Sequence, residues 1–405
     1  MISINQAIEI IKENIPARKI GVVSTSDSLG YVLAEKTLAT ISSPPYTNSA
    51  VDGFAVSWQD VEKTKENDPV VLPIAGESSA GFPVGEKTVP HSAYRISTGA
   101  IVPEDLDTII PIEQCEVNGN KVNILAANKK HQHVRFAGEE FKEGAELLQP
   151  GTVIGSGQLA LITSLGITEI KVYRKATVTI ITTGSELVPF DQTAESHQLR
   201  DSNSPMLRAA VIEANGELRQ VIHVKDDPQL TKEVLLNADC QSDLIISSGG
   251  VSMGEHDHVR DMALECGFNE LFWKVRQKPG KPMFFAKKKN TLLMALPGNP
   301  VSAYLCFKHY VNPLINYLSG RKFEWPVKKA VIQSEIKNTG DRTKLMSVKL
   351  KYSIQSDLPV IEPVIKQSSH MLSSTAHTDG YIIVSENNSL QKNAVVDVFL
   401  WLCIR

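Results

Sequence analysis

Three glycine-bearing turns, each following an apolar run, bring residue types suited to phosphate chemistry into repeated positions along the chain. They are Thr182-Thr183-Gly184-Ser185-Glu186-Leu187, Ser247-Ser248-Gly249-Gly250-Val251-Ser252-Met253-Gly254-Glu255 and Leu296-Pro297-Gly298-Asn299-Pro300. Glycine lets backbone N–H groups approach an anion closely, and Ser247, Ser248 and Ser252 can add hydroxyl donors. One glycine after a strand is an ordinary tight turn, but three at one sheet edge point to a phosphate or nucleotide cradle. In the third turn Asn299 can cap a helix whose first residue is Pro300.

Carboxylates stand beside these turns: Glu186 in the first, Asp226 and Asp227 after the run ending at Val224, and Glu255 and Asp257 after the second. Carboxylates close to phosphate are the usual oxygen ligands of Mg2+. Asp226-Asp227-Pro228 reads equally well as a helix start. Opposite charge comes from Trp273-Lys274-Val275-Arg276-Gln277-Lys278-Pro279-Gly280-Lys281-Pro282. There Lys274, Arg276 and Lys278 alternate along an apparent strand and would share one face. A lysine at the Pro279-Gly280 turn could screen a phosphate or another oxyanion. His131 with His133, and His256 with His258, lack a third soft ligand at matching spacing, so no zinc site is expected.

Holding three such turns together takes a parallel sheet. From Ala176 to about Gly320 strand-like and helix-like runs alternate: strands at 177–181, 218–224, 243–247, near 271–276 and near 292–295, helices at 205–215, 228–238, 256–266 and from Pro300. That rhythm predicts a central three-layer α/β/α domain with a mostly parallel sheet and its ligand beyond the carboxyl ends of the strands. Ahead of it, Ser3 and Gln6 form a capping box before Ile4, Ala7, Ile8 and Ile11, which predicts an opening amphipathic helix, and a second helix is expected over about 27–39. Around Ser43-Pro44-Pro45-Tyr46 the helical pattern stops, and short β-like runs such as Pro69-Val70-Val71-Leu72-Pro73-Ile74 continue to about residue 145. Helix and strand patterning resumes at Gly157-Gln158-Leu159-Ala160-Leu161-Ile162, and after Trp325-Pro326 the chain is β-like to its end. The expected architecture is therefore an α/β multidomain protein. It has an N-terminal helical and mixed domain (1–44 and 146–175), an inserted β-rich module (45–145), the α/β/α domain (176–325) and a β-barrel-like domain (326–405).

Composition narrows the function classes. The 405 residues exceed a single ordinary core, and 42% hydrophobic with 21% charged residues is globular usage. A net charge of −3 offers no basic footprint for nucleic acid. No apolar run approaches the roughly 18 residues of a membrane span, and the N-terminus lacks the core of a signal peptide. The five cysteines are scattered without a C-x-x-C pair, which fits free thiols and a cytoplasmic location.

Six motifs together resemble one family. Pro44-Pro45-Tyr46-x-x-Ser49-Ala50-Val51-Asp52-Gly53-Phe54-Ala55, Thr98-Gly99-Ala100, Thr183-Gly184-Ser185-Glu186-Leu187, Ser248-Gly249-Gly250-Val251-Ser252, Lys278-Pro279-Gly280-Lys281-Pro282 and Leu296-Pro297-Gly298-Asn299-Pro300-Val301-Ser302 resemble the bacterial MoeA family, itself similar to the C-terminal E domain of gephyrin. The resemblance implies an elongated homodimer of four-subdomain chains. It implies insertion of molybdate into adenylylated molybdopterin with release of AMP, assisted by Mg2+, the last step of molybdenum cofactor biosynthesis. It places Asp52 and Thr98 on a partner-facing side of the cleft, Glu186, Asp226 and Asp257 on an acidic, metal-binding side, and Lys274 and Lys278 on molybdate or phosphate. Gly184, Ser248, Gly249, Gly250, Ser252, Lys281, Pro297, Gly298, Asn299 and Pro300 would form the binding loops. Molybdopterin adenylyltransferase and the molybdoenzymes become the expected pathway partners.

Taken alone, Val51-Asp52-Gly53 is a plain turn, and only the surrounding motif gives Asp52 a role. The chain also departs from the family's usual pattern, with Gly138-Glu139-Glu140 for Gly-Glu-Asp and Gly184-Ser185-Glu186-Leu187 for Gly-Asp-Glu-Leu. The longer Glu140 would shift a metal or molybdate contact. Two other functions compete. An adenylyltransferase of the same pathway would share the α/β domain but need neither the inserted module nor the barrel. A scaffold of the gephyrin type would be expected to carry a further N-terminal domain and a long Ser/Pro-rich linker, which these 405 residues do not show.

Overall fold

Residues 1–65, 67–84, 87–251, 258–354, 356–364 and 367–401 are described by a computed structural model. They fold as two units, one of residues 36–149 with 160–168, the other of residues 1–35, 150–159 and 169–405.

The first of these is β-rich. Its six-stranded sheet runs in the order Thr108–Pro111, Gly53–Val56, Ala93–Ile96, Val70–Ser78, Lys121–Ile124, Cys115–Asn118. Strand alternation puts Phe54 and Val56 into a core with Val61, Leu72, Ile110 and Val122. It turns Ala55 to the other face, against Tyr94, Ile96 and Ile109. Both faces of this strand are covered, and Gly53 at its start has the Ile110 carbonyl where a Cβ would lie.

The larger unit opens with helix Ile4–Asn14, capped as its sequence predicts: the Gln6 N–H donates to Ser3 Oγ at 3.2 Å, and the Ser3 N–H to Gln6 Oε1 at 2.9 Å. The helix expected over 27–39 does not form. A 3-10 turn at Thr25–Asp27 and the short strand Val32–Leu33 stand there instead, and strand Thr37–Leu38 belongs to the β-rich unit. Gly30 at φ +80° breaks the run, and Val32 and Leu33 pair with Tyr173 and Val172, so sheet pairing overrides the local helical pattern.

The central sheet contains β1 (Thr177–Thr183), β2 (Glu217–Val224), β3 (Leu244–Ser248), β4 (Asn269–Trp273), β5 (Phe284–Lys288) and β6 (Thr291–Leu296), in the order β2-β1-β3-β6-β5-β4. The β2-β1, β1-β3 and β3-β6 pairs are parallel, and β5 runs antiparallel to both neighbours. Val178, Ile180 and Ile246 face one core with Leu207 and Phe307, while Ile181 and Ile245 face another with Leu235 and Ala263. The sheet therefore carries helices on both sides, because its strands are apolar at consecutive positions rather than alternate ones.

Beyond it, β7 (Val327–Ile332), β8 (Thr343–Lys351), β9 (Val360–Pro363), β10 (Gly380–Val384) and β11 (Val395–Leu400) pair in the order β8-β9-β7-β11-β10, and β10 pairs back to β8. This closed five-stranded barrel is filled by Ala330, Ile332, Val348, Leu350, Ile361, Ile382 and Val398. Residues Gln277–Lys278 add in parallel at the start of β8, with Gln277 opposite Thr343 and Lys278 opposite Lys344.

Between sheet and barrel, the π-helical turn Phe307–Val311 buries His309, whose Nδ1 lies 2.7 Å from the Tyr381 hydroxyl. Burial pushes this imidazole down from 6.5 to about 3. Below pH 6.5 the unfolded chain takes up a proton that the folded chain refuses until about pH 3, so stability is lost as pH falls through that window. Between pH 6.5 and 5 the loss from this group is about 2 kcal/mol. A His309→Gln variant is expected to lose correspondingly less over the same range in urea unfolding, whatever its stability at neutral pH; an unchanged pH slope would refute this origin.

Candidate functional site

The carboxyl ends of β1, β3 and β6 each lead into one of the three glycine turns. Gly249 (φ +94°) and Gly250 (φ +69°) hold left-handed backbone, and a Cβ on Gly249 would lie 2.6 Å from Thr183 Oγ1. Gly298 lies against the same turn, where a Cβ would meet the Gly249 Cα at 3.6 Å, an ordinary contact. Thr183, Gly184, Glu186, Asp226, Gly249, Gly250, Pro297 and Gly298 line a cavity of about 250 Å3.

Neighbouring aspartates divide two tasks. Asp227 caps helix Pro228–Asp239 by accepting the Leu230 N–H at 2.8 Å. Asp226 turns away from that helix: its Oδ2 accepts the Ser185 N–H at 2.9 Å, and its own N–H donates to Ser185 Oγ at 3.1 Å. The serine at position 185 thus locks Asp226 to the Gly184 turn, leaving its carboxylate on the cavity beside Glu186.

Not every expected donor is free. Ser247 and Ser248 are buried; Ser247 Oγ donates to the Gly249 carbonyl at 3.2 Å, and Ser248 Oγ to the Pro297 carbonyl at 3.3 Å. Their hydroxyls hold the turns together instead of facing a ligand. Asn203 reinforces the same link, its Nδ2 donating to Ser248 Oγ at 2.8 Å and to the Gly298 carbonyl at 2.7 Å. Asn299 occupies the first-cap position of helix Pro300–Cys306, but its side chain donates to Ser369 Oγ at 3.2 Å and caps nothing.

A second cavity, of about 540 Å3, shares Pro282 and Pro297 with the first. Lys278, Lys281, Arg342 and Lys344 line it, with Ser302, Ser368 and Ser369, and among the described residues no Asp or Glu lines it. Arg342 has a distant partner, Asp341 at 3.8 Å. Lys278, Lys281 and Lys344 have no ion pair among the described residues. Four cations and three hydroxyls around one space suit a multiply charged oxyanion. Arg342, Lys344, Ser368 and Ser369 were not anticipated from the sequence, because no glycine turn accompanies them. Their one legible trace is the Arg342-x-Lys344 alternation at the head of a barrel strand.

The expected single strand of three cations is corrected. Strand β4 ends at Trp273, and Lys274 takes φ +68°, so Lys274, Arg276 and Lys278 do not share a strand face. Lys274 Nζ lies 3.6 Å from the Trp273 ring centroid, and the indole N–H donates to the Val251 carbonyl at 3.4 Å. Ser252 and Asp257 fall outside the described residues. In the β-rich unit, Asp52 Oδ1 accepts both the Thr98 N–H at 2.6 Å and the Thr98 hydroxyl at 2.9 Å. The backbone bond and then the hydroxyl bond hold this carboxyl below the usual range. Glu140 accepts from Ser43 Oγ at 2.6 Å in the same unit.

Comparison with known proteins agrees in order along the chain. Residues 2–166 match the MoeA N-terminal region (domain I and II), 179–317 the family described as "Probable molybdopterin binding domain", and 329–401 the MoeA C-terminal region (domain IV). The molybdopterin molybdenumtransferase of Haemophilus influenzae is 32% identical over 95% of this chain and 95% of its own. That of Staphylococcus epidermidis is 30% identical over 98% of this chain and 95% of its own. A crystal structure of the molybdopterin biosynthesis MoeA protein from Pyrococcus horikosii matches with a TM-score of 0.83 at 28% identity, covering 99% of each chain. With three family regions in sequence and relatives alike over nearly their whole length, the chain belongs to the MoeA family, the molybdopterin molybdenumtransferases of molybdenum cofactor biosynthesis.

Proposed function

We propose that this chain inserts molybdate into adenylylated molybdopterin and releases AMP. The observation that carries this reading is the pair of adjoining cavities, one bounded by two carboxylates and glycine turns, the other by four cations, with Pro282 and Pro297 in both linings. A tetrahedral dianion such as molybdate finds Lys278, Lys281, Arg342 and Lys344 without a competing carboxylate among the described residues of the cavity wall. The Gly249 N–H is given to the Leu296 carbonyl at 3.1 Å, so in this turn it is the Gly250 N–H that is suited to the phosphate of the nucleotide-bearing substrate.

Mg2+ fits the donor set. Among the described residues no three acidic, histidine or cysteine side chains converge. Glu186 and Asp226 supply hard oxygens on one wall, and two carboxylates are as many as Mg2+ commonly takes when phosphate and water complete its shell. These two residues would hold it, with Asp257 the third candidate by motif, and the ion would supply charge neutralisation on the phosphoanhydride. The chain itself fixes Asp226 through Ser185, orients the turn through Asn203 and Ser248, and presents Lys278 and Lys281 to the incoming oxyanion.

Asp52 and Thr98 enter through the family pattern, in which the inserted module of one subunit faces the nucleotide site of another. The working unit is accordingly a homodimer, with the adenylyltransferase before it and molybdoenzymes after it in the pathway. Among the described residues no helix is long and apolar enough to cross a membrane; a cytoplasmic location belongs to this same reading. Purified protein given adenylylated molybdopterin and Mg2+ is expected to release AMP faster when molybdate is added. Formation of the adenylylated pterin from ATP, with no molybdate-dependent AMP, would instead make it an adenylyltransferase.

A further inference from the structure

Directly before the Lys278-Pro279-Gly280-Lys281 turn sits a glutamine with no exposed surface, Gln277. Its Nε2 donates to the Gly280 carbonyl at 3.1 Å and to Cys306 Sγ at 3.3 Å, and its Oε1 accepts from the Tyr310 hydroxyl. Each partner belongs to a different part of the oxyanion cavity's frame. Gly280 is at the bend of the turn that carries Lys278 and Lys281. Cys306 ends the helix that contributes Val301, Ser302 and Leu305 to the cavity, and Tyr310 lies in the π turn that follows. Through its backbone, Gln277 is in register with Thr343, the first residue of β8, which stands between Arg342 and Lys344 in the chain.

The fit around this amide is close. Gly280 takes φ +90°, and a Cβ there would meet Cys306 Sγ and lie 2.7 Å from Gln277 Nε2. Burial pushes the Cys306 thiol up to about 12 and raises the Tyr310 phenol well above its usual value, so the cluster is neutral. Whatever it does to a bound anion is done by placing the cations, since it adds no charge of its own.

We propose that Gln277 is a positioning residue for the oxyanion cavity: its buried amide ties the lysine turn to the Cys306–Tyr310 segment while its backbone pairs with β8, and together these links set the spacing of Lys278 and Lys281 relative to Arg342 and Lys344. The inference rests on the reading of that cavity as the molybdate site. It separates a residue that tunes oxyanion affinity from a core amide that is merely satisfied.

The test uses the full chain, with molybdate as the probe. Gln277→Met keeps the volume and removes the polar links; Tyr310→Phe removes one O–H from the same cluster. Calorimetric binding of molybdate and the steady-state constants of AMP release are measured for both. Gln277→Met is expected to raise Kd and KM for molybdate about tenfold, the equivalent of one or two lost hydrogen bonds, with kcat within about twofold of wild type. KM for the adenylylated pterin should stay unchanged. Tyr310→Phe should act in the same direction more weakly, and the double variant should be no worse than Gln277→Met, because both remove one shared network. A lowered melting point with an unchanged molybdate KM would make Gln277 a core amide and overturn the proposal. If Gln277→Met does not fold, Tyr310→Phe decides alone by the same criterion. A wild type that binds no molybdate sinks the oxyanion reading and this inference with it, whereas equal binding by wild type and variant sinks the inference only.

Discussion

Asp226→Asn is expected to slow molybdate-dependent AMP release by about 10²–10³-fold, the loss of a few kcal/mol of charge stabilisation, while leaving the melting point near that of wild type. The substitution retains an oxygen that can accept the Ser185 N–H, now at 2.9 Å, so the Gly184 turn keeps its shape and only the negative charge goes. Asp227→Asn is the matched control. Asparagine caps a helix as well as aspartate does, so that variant should keep both its rate and its stability. Raising Mg2+ should recover part of the activity of Asp226→Asn if the lost carboxylate holds the ion. Full activity in Asp226→Asn at ordinary Mg2+ would reduce Asp226 to a turn-former, and the acidic side of the site would then rest on Glu186 and Asp257 alone.

These two aspartates also show what a sequence can and cannot disclose. Asp226-Asp227-Pro228 is a recognisable helix start, but which aspartate caps and which faces the cavity is decided by the Ser185 bonds across 41 residues of chain. The three turns were legible because each follows an apolar run that can only be a buried strand, and the alternation of strand and helix fixed them to one edge of a parallel sheet. Strand β5 was not foreseen, since Phe284–Lys288 carries no pattern that separates it from the turn before it and pairs only with sequence neighbours that are themselves strands. The helix expected over 27–39 failed for the opposite reason: its local spacing is helical, yet pairing with residues near 172 wins. Arg342, Lys344, Ser368 and Ser369 reach the cation-lined cavity through barrel closure, a long-range event with no local trace beyond one alternating pair of cations. Ser248 was expected to face the ligand because its residue type is right; its burial between Asn203 and Pro297 is a fact of packing.

Packing likewise decides the second large effect, expected at Gly249. An alanine there would have to hold φ +94°, at a cost of about 1–3 kcal/mol, and its Cβ would lie 2.6 Å from Thr183 Oγ1 and 2.9 Å from the Thr183 carbonyl oxygen. The hydroxyl can rotate aside, but the carbonyl belongs to the end of β1, so relief must move the strand end from which the Gly184 turn departs. Gly249→Ala should therefore lose about 3 kcal/mol in urea unfolding and raise KM for adenylylated molybdopterin at least tenfold. Gly298→Ala makes the contrast, because its Cβ would meet nothing nearer than the Gly249 Cα at 3.6 Å, an ordinary contact. That variant should unfold as wild type does and yet bind AMP more weakly, since it adds a methyl group to a residue lining the 250 Å3 cavity. The pair separates the two meanings of a glycine in such a turn, backbone geometry at Gly249 and room for the ligand at Gly298. Were Gly298→Ala to bind AMP with undiminished affinity, the nucleotide phosphate would have to lie elsewhere on the sheet edge, and the role given to the three turns would fall with it.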